Sequence, residues 1–341
     1  MKAAFYYKGG RIEVQEVPKP KIGKNEALVE MKACGLCGSD LMRWYLDMKT
    51  PLVIGHEPAG IIRQVGEDVA GFSEGDRVFI HHHVGCFTCH YCMHGDFTLC
   101  DEFRETHIDP GGFAQFIRVP YRNLRYDTLK LPEDLSFDEA TIIELLACCI
   151  RGLSKVDFKP GDSILIVGVG PAGTTHAVLS RMLGFGKIIV SDPVEYRREF
   201  ALKMGADYAF DPFKEHLAEE VRKITSGRGA DVVVVTAPSL DALYDGLNAC
   251  RRGGTICLFA PISPEVKVLL SPHKLFFNEI SIVPSYSTSH IETRIALNLI
   301  DSGRFPAEKL ITHRFSLDDA IEAYRLASED KNCMKIVIHN E

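Results

Sequence analysis

The chain has 341 residues, of which 46% are hydrophobic and 25% are charged, and its formal net charge is −7. This length predicts two domains, and this composition excludes a largely disordered chain. The negative charge argues against a protein that binds nucleic acid or an anionic membrane, because both need a positive surface.

The start of the chain and its cysteines indicate the compartment. Residues 1–7 lack the long apolar run of a signal peptide, and the charge-free segment 163–180 has too many glycines for a membrane helix. The eleven cysteines are an odd number, which is unfavourable for a disulfide framework. We therefore predict a reduced, cytoplasmic protein in which clustered cysteines bind metal.

The first part of the chain, up to about Pro132, predicts a β-rich region. Short β-branched runs are broken by glycines and turns, which is typical of all-β structure. The predicted strands are Ala27–Lys32, Gly60–Val65, Arg77–Ile80 and Gln115–Val119.

Three residues of this region offer mixed metal donors. Cys37, His56 and Glu57 supply sulfur, nitrogen and oxygen, the set that a catalytic zinc uses with one position left open. Each residue also fits a plainer role, as a small buried side chain, a core histidine and a surface charge. The pattern alone leaves both interpretations open.

A run of three histidines, His81, His82 and His83, ends a predicted strand. Side chains of adjacent strand residues alternate in direction, so three such imidazoles cannot all reach one ion. We interpret these histidines as structural.

Four closely spaced cysteines follow, in the pattern C-x2-C-x2-C-x7-C. Four thiolates complete a tetrahedral zinc shell and leave no position for substrate, so we predict a structural zinc rather than a catalytic one. His90 and His94 lie in the same loop and are alternative ligands. The predicted ligands are Cys86, Cys89, Cys92 and Cys100.

From Asp162 onward, apolar strands alternate with helices, which predicts a parallel sheet covered on both faces. The predicted strands are Ser163–Val167, Lys187–Ser191, Tyr208–Phe210, Asp231–Thr236, Thr255–Ala260 and Ile280–Val283. The predicted helices are Thr174–Leu183, Glu195–Met204 and Leu217–Thr225.

The segment Gly168-Val169-Gly170-Pro171-Ala172-Gly173 has the form G-x-G-x-x-G between a predicted strand and a predicted helix. With Asp192 at the end of the next strand, it forms a dinucleotide-binding fingerprint, in which the helix N-terminus holds the pyrophosphate. A glycine turn without a ligand is the alternative.

The residue at 192 also predicts which nicotinamide is bound. The Asp192 carboxylate accepts hydrogen bonds from ribose hydroxyls and repels a 2′-phosphate. Arg197 and Arg198 favour the alternative, in which they bind the 2′-phosphate of NADP. However, residue 192 is not a small residue that would leave room for this phosphate. We therefore predict NAD.

After Ser289 the chain reads as a helix, the strand Leu310–Phe315, the helix Leu317–Ala327 and the strand Lys335–His339. Periodicity leaves open whether this tail extends the parallel sheet or returns to the first domain.

These motifs, in this order, resemble the zinc-dependent medium-chain dehydrogenase/reductase (alcohol dehydrogenase) family, closest to its polyol (sorbitol/iditol) branch. The resemblance spans nearly the whole chain and implies an α/β fold. It implies a β-rich, GroES-like catalytic domain of residues 1–150 and 289–341, and a Rossmann NAD-binding domain with a doubly wound parallel sheet over 151–288. The segments that carry it are Gly55–Gly60 (GHEPAG) with Gly66 and Val69, Gly75–Val78 (GDRV), Cys37–Asp40 (CGSD), the four-cysteine loop and the glycine motif.

The resemblance assigns roles around a catalytic zinc. It implies that Cys37 and His56 bind the ion and that Glu57 is either a ligand or holds the zinc-bound water. Glu144 matches the third ligand of the polyol branch, or its close neighbour, although Leu145 stands where that branch has proline. A glutamate on the surface of a helix is the alternative for Glu144.

The same resemblance assigns the supporting residues. Asp40 orients the imidazole of His56, Ser39 hydrogen-bonds the substrate oxygen and passes its proton outward, and Arg197 lies near the adenosine. Two departures are visible: Met42 replaces a histidine of the proton path, and segment 283–287 lacks the arginine of the polyol branch.

The resemblance therefore implies a zinc- and NAD-dependent oxidoreductase, with one catalytic and one structural zinc, that interconverts a polyol-like secondary alcohol and its ketone. It also implies a homo-oligomer, either a dimer or a tetramer. The expected binding partner is a small-molecule substrate, and we expect neither nucleic acid nor a membrane as a partner. The alternatives are a threonine or simple secondary-alcohol dehydrogenase, a redox-inactive relative, and a zinc-ribbon-type binding protein without redox activity.

Overall fold

The computed structural model describes residues 1–340. The strands of that part of the chain are β1 (Lys2–Tyr7), β2 (Arg11–Glu16), β3 (Ala27–Leu36), β4 (Leu52–Val53), β5 (Glu57–Val65), β6 (Arg77–Ile80), β7 (Phe116–Val119), β8 (Thr128–Lys130), β9 (Ser163–Val167), β10 (Lys187–Ser191), β11 (Tyr208–Phe210), β12 (Ala230–Val235), β13 (Cys250–Leu258), β14 (Ser281–Pro284), β15 (Ile311–Ser316) and β16 (Lys335–His339).

Helices range from single turns to thirteen residues. They are α1 (Arg43–Leu46), α2 (His90–Met93), α3 (Asp101–Glu105), α4 (Tyr121–Asp127), α5 (Phe137–Ala140), α6 (Ile142–Ser154), α7 (Pro171–Met182), α8 (Glu195–Lys203), α9 (Leu217–Ile224), α10 (Leu240–Ala249), α11 (Pro272–Asn278), α12 (His290–Asp301), α13 (Ala307–Leu310) and α14 (Ala320–Arg325). Short 3₁₀ turns cover Gly38–Leu41, Phe97–Leu99 and Leu317–Asp319, and a π-helical turn covers Leu326–Asp330. Within residues 1–340, no helix has the length and apolar character needed to cross a membrane.

Two compact units make up the described chain. One consists of Met1–Ala147 together with the segment from Thr288 onward, and the other is Cys148–Ser287. The candidate metal ligands lie in the first unit, and the glycine motif lies in the second.

The first unit is built on a largely antiparallel sheet. Its strands follow the order β15-β16-β3-β5-β6-β8, with β7 also paired to β3, and a smaller sheet has the order β2-β1-β4. The tail contributes β15 and β16, and β16 pairs with the end of β3, where Val337 lies opposite Gly35. Inward-facing side chains such as Met31, Ile62 and Ile338 are fully buried between these elements. The end of the chain therefore reaches the strand that leads to Cys37.

The second unit contains a six-stranded parallel sheet in the order β11-β10-β9-β12-β13-β14. Numbered within the unit, this order is 3-2-1-4-5-6, the doubly wound arrangement of dinucleotide-binding sheets. The central strand β9 is buried at every residue, as expected for a strand covered on both faces. The predicted α/β fold class is confirmed.

Candidate functional site

The four-cysteine loop brings its sulfurs together. The Sγ atoms of Cys86, Cys89, Cys92 and Cys100 lie within 4.8 Å of one another. Hydrogen bonds from the side chain and backbone of Thr88 lower the pKa of Cys86 to about 6, whereas burial raises the pKa of Cys92 to about 12. A bound dication deprotonates a coordinating thiol and so offsets this burial, and the loop therefore fits a zinc ion.

The two histidines of the loop are placed differently. His94 Nδ1 lies 2.7 Å from the carbonyl oxygen of His90, and the two rings are 4.2 Å apart. Neither belongs to the four-sulfur group. The four cysteines thus form the donor set, and His90 and His94 are not part of it.

A second donor set consists of Cys37, His56 and Glu57, with one donor atom of each within 4.8 Å of the others. Antiparallel pairing assembles it, because Cys37 directly follows β3 while Glu57 begins β5, and Gly35 lies opposite Glu57. A Cβ atom at residue 35 would lie 2.0 Å from Glu57 Oε2, so only glycine leaves room for this carboxylate. The register of the sheet therefore brings a thiol, an imidazole and a carboxylate close together.

Asp40 and Ser39 contact the His56 ring on its two nitrogens. Asp40 Oδ1 lies 3.3 Å from Nδ1, and Ser39 Oγ lies 3.5 Å from Nε2. The backbone N–H of Cys37 donates to Asp40 Oδ2 at 3.1 Å, which fixes the carboxylate. This arrangement holds the ring in one orientation, as expected for a metal-binding histidine.

The electrostatics of this set favour a cation. Burial opposes protonation of His56, but Asp40 and Cys37 raise its pKa well above the usual range. The same two groups stabilise a metal dication in place of the proton. The residues therefore fit a zinc ion.

Glu57 is paired with Lys335, a residue that the sequence analysis missed. Glu57 is fully buried and Lys335 is 1% exposed, and their side chains form an ion pair. Burial, with Glu144 nearby, raises the pKa of Glu57, whereas Glu57 raises the pKa of Lys335 against the effect of burial, so each group depends on the other for its charge. A lysine inside the apolar strand KIVIH was the available signal, because a buried lysine needs an anionic partner.

Glu144 lies in α6 and is buried. It belongs to a neighbouring set with His81 and His82, in which one donor atom of each residue lies within 4.8 Å of the others. Its charge also acts on Glu57, and the His82 ring lies 4.8 Å from the His56 ring. The two donor sets are therefore adjacent.

The placement of His81 and His82 differs from the interpretation of the sequence. Strand β6 ends at Ile80, so the alternation of strand side chains does not apply to the residues that follow. His83 is outside this set: its ring packs 4.0 Å from that of His82, but its Nδ1 atom lies 2.6 Å from the carbonyl oxygen of Thr106. Burial, together with the neighbouring imidazoles, holds the pKa of His82 well below its usual range, so its ring is neutral.

The glycine motif forms the turn between β9 and α7. Gly168 has φ of +92°, and a Cβ atom at Gly173 would lie 1.9 Å from the Gly168 carbonyl oxygen, so both positions require glycine. Gly170 is the N-cap of α7, Pro171 is its first residue and Ala172 its second. The unpaired N–H groups of this first turn suit a pyrophosphate.

Asp192 closes the same turn. Its Oδ2 atom accepts the backbone N–H of Val169 and its Oδ1 atom that of Val194, both at 2.8 Å. Each carboxylate oxygen keeps a further lone pair, so Asp192 can still accept a ribose hydroxyl.

The two arginines that follow have separate positions. Arg198 Nη1 donates to the carbonyl oxygen of Asp192 at 2.6 Å and lies 3.5 Å from Asp211 Oδ2. The Arg197 guanidinium lies over Gly170, since a Cβ atom there would be 3.6 Å from Arg197 Nη1. Arg198 thus interacts with Asp192 and Asp211 of the protein itself, whereas Arg197 lies at the glycine turn.

Comparison with known proteins identifies both parts of the chain. Residues 23–133 match the alcohol dehydrogenase GroES-like domain, and residues 171–302 match the zinc-binding dehydrogenase family. Sorbitol dehydrogenase of Bacillus subtilis strain 168 is 32% identical over 99% of this chain and 97% of its own. L-threonine 3-dehydrogenase of Pyrococcus horikoshii is 31% identical over 94% of this chain and 92% of its own.

A solved structure has the same fold over the full length. A zinc-binding dehydrogenase from Sinorhizobium meliloti 1021, bound to NADP, superposes with a TM-score of 0.89 and 26% identity over 99% of this chain and 98% of its own. Two family models and a relative that is 32% identical over 99% of the chain point to the same family. The chain therefore belongs to the zinc-dependent medium-chain alcohol dehydrogenase family.

Proposed function

We propose that the protein is a zinc- and NAD-dependent oxidoreductase that interconverts a polyol-like secondary alcohol and its ketone by hydride transfer. The observation that carries this proposal is the His56 imidazole, held between Asp40 and Ser39 and next to Cys37. The sorbitol dehydrogenase relative supports the substrate class. The four-cysteine loop holds a second, structural zinc.

Cys37, His56 and one carboxylate hold the catalytic zinc in this proposal. Because Lys335 neutralises Glu57, we assign Glu144 as the carboxylate ligand and Glu57 as the buried charge beside it. When bound, zinc supplies a Lewis acid for the alcohol oxygen, and NAD supplies the hydride acceptor.

The remaining residues position groups and move the proton. Asp40 holds the His56 ring through Nδ1, so Nε2 would be the nitrogen that binds the metal. The Ser39 hydroxyl lies beside that nitrogen, where it accepts the alcohol proton and passes it outward. With Met42 in place of a histidine, water takes over the next step of the path.

The test of this function is a panel of alcohols with the zinc-loaded protein. We expect NAD-linked oxidation of sorbitol, xylitol or 2,3-butanediol to exceed that of simple secondary alcohols and L-threonine. No NADH formation with any of them, in protein that carries two zinc ions, would overturn the proposal. Quenching of NADH fluorescence on binding separates an enzyme from a zinc-ribbon binding protein.

L-threonine is the second candidate substrate, because a 31% identical relative is a threonine dehydrogenase. We rank it lower, because that branch usually has tryptophans after the cysteine motif and an aspartate as third ligand. This chain has the single Trp44, and Glu144 at the ligand position.

NAD is the proposed cofactor because the carboxylate of Asp192 is fixed at the glycine turn by two backbone N–H groups. A 2′-phosphate would meet this charge, and such juxtaposition costs several kcal/mol. We expect kcat/KM to be higher with NAD than with NADP, and Asp192→Gly to move the ratio toward NADP. A parent ratio that favours NADP would contradict the assignment.

We also propose a cytoplasmic homo-oligomer, a dimer or tetramer. Within residues 1–340, no disulfide joins any two of the eleven cysteines, which suits a reducing compartment. The oligomer rests on the family resemblance, and light scattering of the purified protein measures it directly.

A further inference from the structure

The set formed by His81, His82 and Glu144 has no role in the proposed reaction beyond the carboxylate of Glu144. One donor atom of each residue lies within 4.8 Å of the other two. His81 is fully buried and Glu144 is 5% exposed. His82 is half-buried. Two imidazoles and one carboxylate that converge in a largely buried place are a donor set of metal sites.

His81 is oriented as a ligand. Its Nδ1 atom lies 2.7 Å from Asp127 Oδ2, and the Thr293 hydroxyl donates to Asp127 Oδ1 at 2.6 Å. With Nδ1 carrying the proton toward this carboxylate, the lone pair is on Nε2, a buried atom that has no hydrogen-bond partner. A carboxylate behind the imidazole, with the far nitrogen unoccupied, is the arrangement that fixes metal-binding histidines.

The backbone of both histidines is held by one side chain. Asn123 Nδ2 donates to the carbonyl oxygens of His81 at 3.0 Å and His82 at 2.9 Å. Asn123 and Asp127 are four residues apart on α4, so one face of this helix fixes both the backbone and the His81 ring. The His82 Nδ1 atom is also buried without a partner. The protein therefore holds the backbone of both histidines and the His81 ring in place, and leaves a buried nitrogen of each imidazole without a hydrogen-bond partner.

We propose that His81, His82 and Glu144 form a second binding position for a divalent transition-metal ion, such as Zn²⁺ or Co²⁺, beside the Cys37 and His56 position. The contact between the His56 and His82 rings, 4.8 Å between centroids, makes the two positions neighbours. Because a carboxylate has two oxygens, Glu144 can serve either position or bridge both.

The proposal is tested by counting bound metal in the full-length protein. The double variant Cys37→Ser/His56→Ala removes the first position and leaves the four-cysteine loop intact. After chelation and reloading with Co²⁺, we expect two cobalt ions per chain in the double variant. Addition of His82→Ala or, separately, Glu144→Gln should reduce this to one. One cobalt ion per chain already in the double variant would overturn the proposal.

The absorption spectrum of cobalt distinguishes the sites. Cobalt in the loop shows intense thiolate charge-transfer bands, whereas cobalt held by two imidazoles and a carboxylate shows only weaker ligand-field bands. The difference between the double variant and either triple variant should therefore contain ligand-field bands alone. A thiolate band in that difference would mean that the loop had lost metal, which counts against the proposal.

His83→Gln, introduced into the double variant, is the matched control. This imidazole is adjacent in sequence, but its Nδ1 atom contacts the Thr106 carbonyl oxygen and it is outside the set. The control should keep both cobalt ions. Loss of one ion here as well would show that any disturbance of the segment releases the metal, and the proposal would fail. Because the readout is metal content, its failure is distinct from failure of the proposed activity.

Discussion

The four-cysteine loop and the buried donor sets lie in the same unit, but they are assembled in different ways. The loop takes four like donors from residues 86–100, close together along the chain. The buried sets take unlike donors from residues 37–144, and the charge that balances Glu57 comes from Lys335 near the end of the chain. One site is local and the other depends on the whole sheet.

The two kinds of site are also stabilised by different interactions. The buried groups are compensated by protein charges, since Asp40 pairs with His56 and Glu57 pairs with Lys335. The loop has four thiols, and its sulfur atoms accept short-range hydrogen bonds, such as that from Cys89 N–H to Cys86 Sγ at 3.2 Å. We therefore expect metal binding to contribute to the folding energy of the loop, and we expect the buried sets to keep their shape without it.

The largest expected effect separates the two sites directly. Cys37→Ser should abolish turnover and leave the thermal midpoint nearly unchanged, because the surrounding ion pairs remain. Cys89→Ser should release the loop zinc and lower the midpoint, since structural zinc contributes roughly 10–16 kcal/mol to folding in small domains. Elemental analysis, calorimetry and kcat measure the three quantities. Equal destabilisation by both substitutions would break the comparison.

The second prediction concerns the long-range charge of the buried sets. Lys335→Met should destabilise the protein by about 3–5 kcal/mol, because it leaves the Glu57 charge buried without a partner. Urea unfolding at neutral pH measures this free energy. Lys309→Met, at an exposed lysine of the same tail, is the control and should have little effect.

The double variant Lys335→Met/Glu57→Gln sharpens this prediction. Removing both charges eliminates the uncompensated group, so much of the stability should return. If the double variant is no more stable than Lys335→Met, the ion pair is not the cause of the loss.

Much of the fold follows from local patterns in the sequence. The strands Arg77–Ile80, Ser163–Val167, Lys187–Ser191 and Lys335–His339 coincide with their predictions, because apolar β-branched runs bounded by turns determine them locally. The loop cysteines were likewise found from spacing alone. The helix predicted over Leu317–Ala327 is instead a 3₁₀ turn, α14 and the start of a π-helical turn.

The contacts within the buried donor sets were harder to predict from the sequence. Spacing cannot show that Glu144 meets His81 and His82, because this depends on where β6 ends and on where the fold places α6. Lys335 meets Glu57 only through the pairing of β16 with β3 and of β3 with β5. Local periodicity cannot predict contacts that depend on sheet register. The residues alone left the role of Cys37 and His56 open, and the family resemblance decided it and supplied Glu144.

A smaller effect is expected within the Cys37 and His56 site. Ser39→Ala should lower kcat by about 10²-fold, the lower range for a lost proton-transfer group, with zinc content and stability unchanged. Ser39→Thr retains the hydroxyl and should recover much of the rate. A Ser39→Ala variant with parental kcat would remove this residue from the proton path.

The smallest expected effect tests another link between the tail and the rest of the first unit. Asp138, in α5, accepts from Arg314 Nε in β15 and lies against His339 Nε2 in β16, both at 2.6 Å. Burial opposes ionisation of Asp138, but His339 and Arg314 together hold its pKa below the usual value. The carboxylate therefore binds its proton more weakly in the folded than in the unfolded protein.

The sign of the pH dependence follows from this shift. A carboxylate with a lowered folded pKa stabilises the protein above its unfolded pKa of about 4, and this contribution is lost as the pH falls through the folded value. Asp138→Asn should cost about 1–2 kcal/mol near pH 7, and the difference from the parent should shrink as the pH falls below about 4. Urea unfolding of both proteins across this range measures it. A difference that is the same at both ends would mean that packing, and not the charge of Asp138, holds the tail at this point.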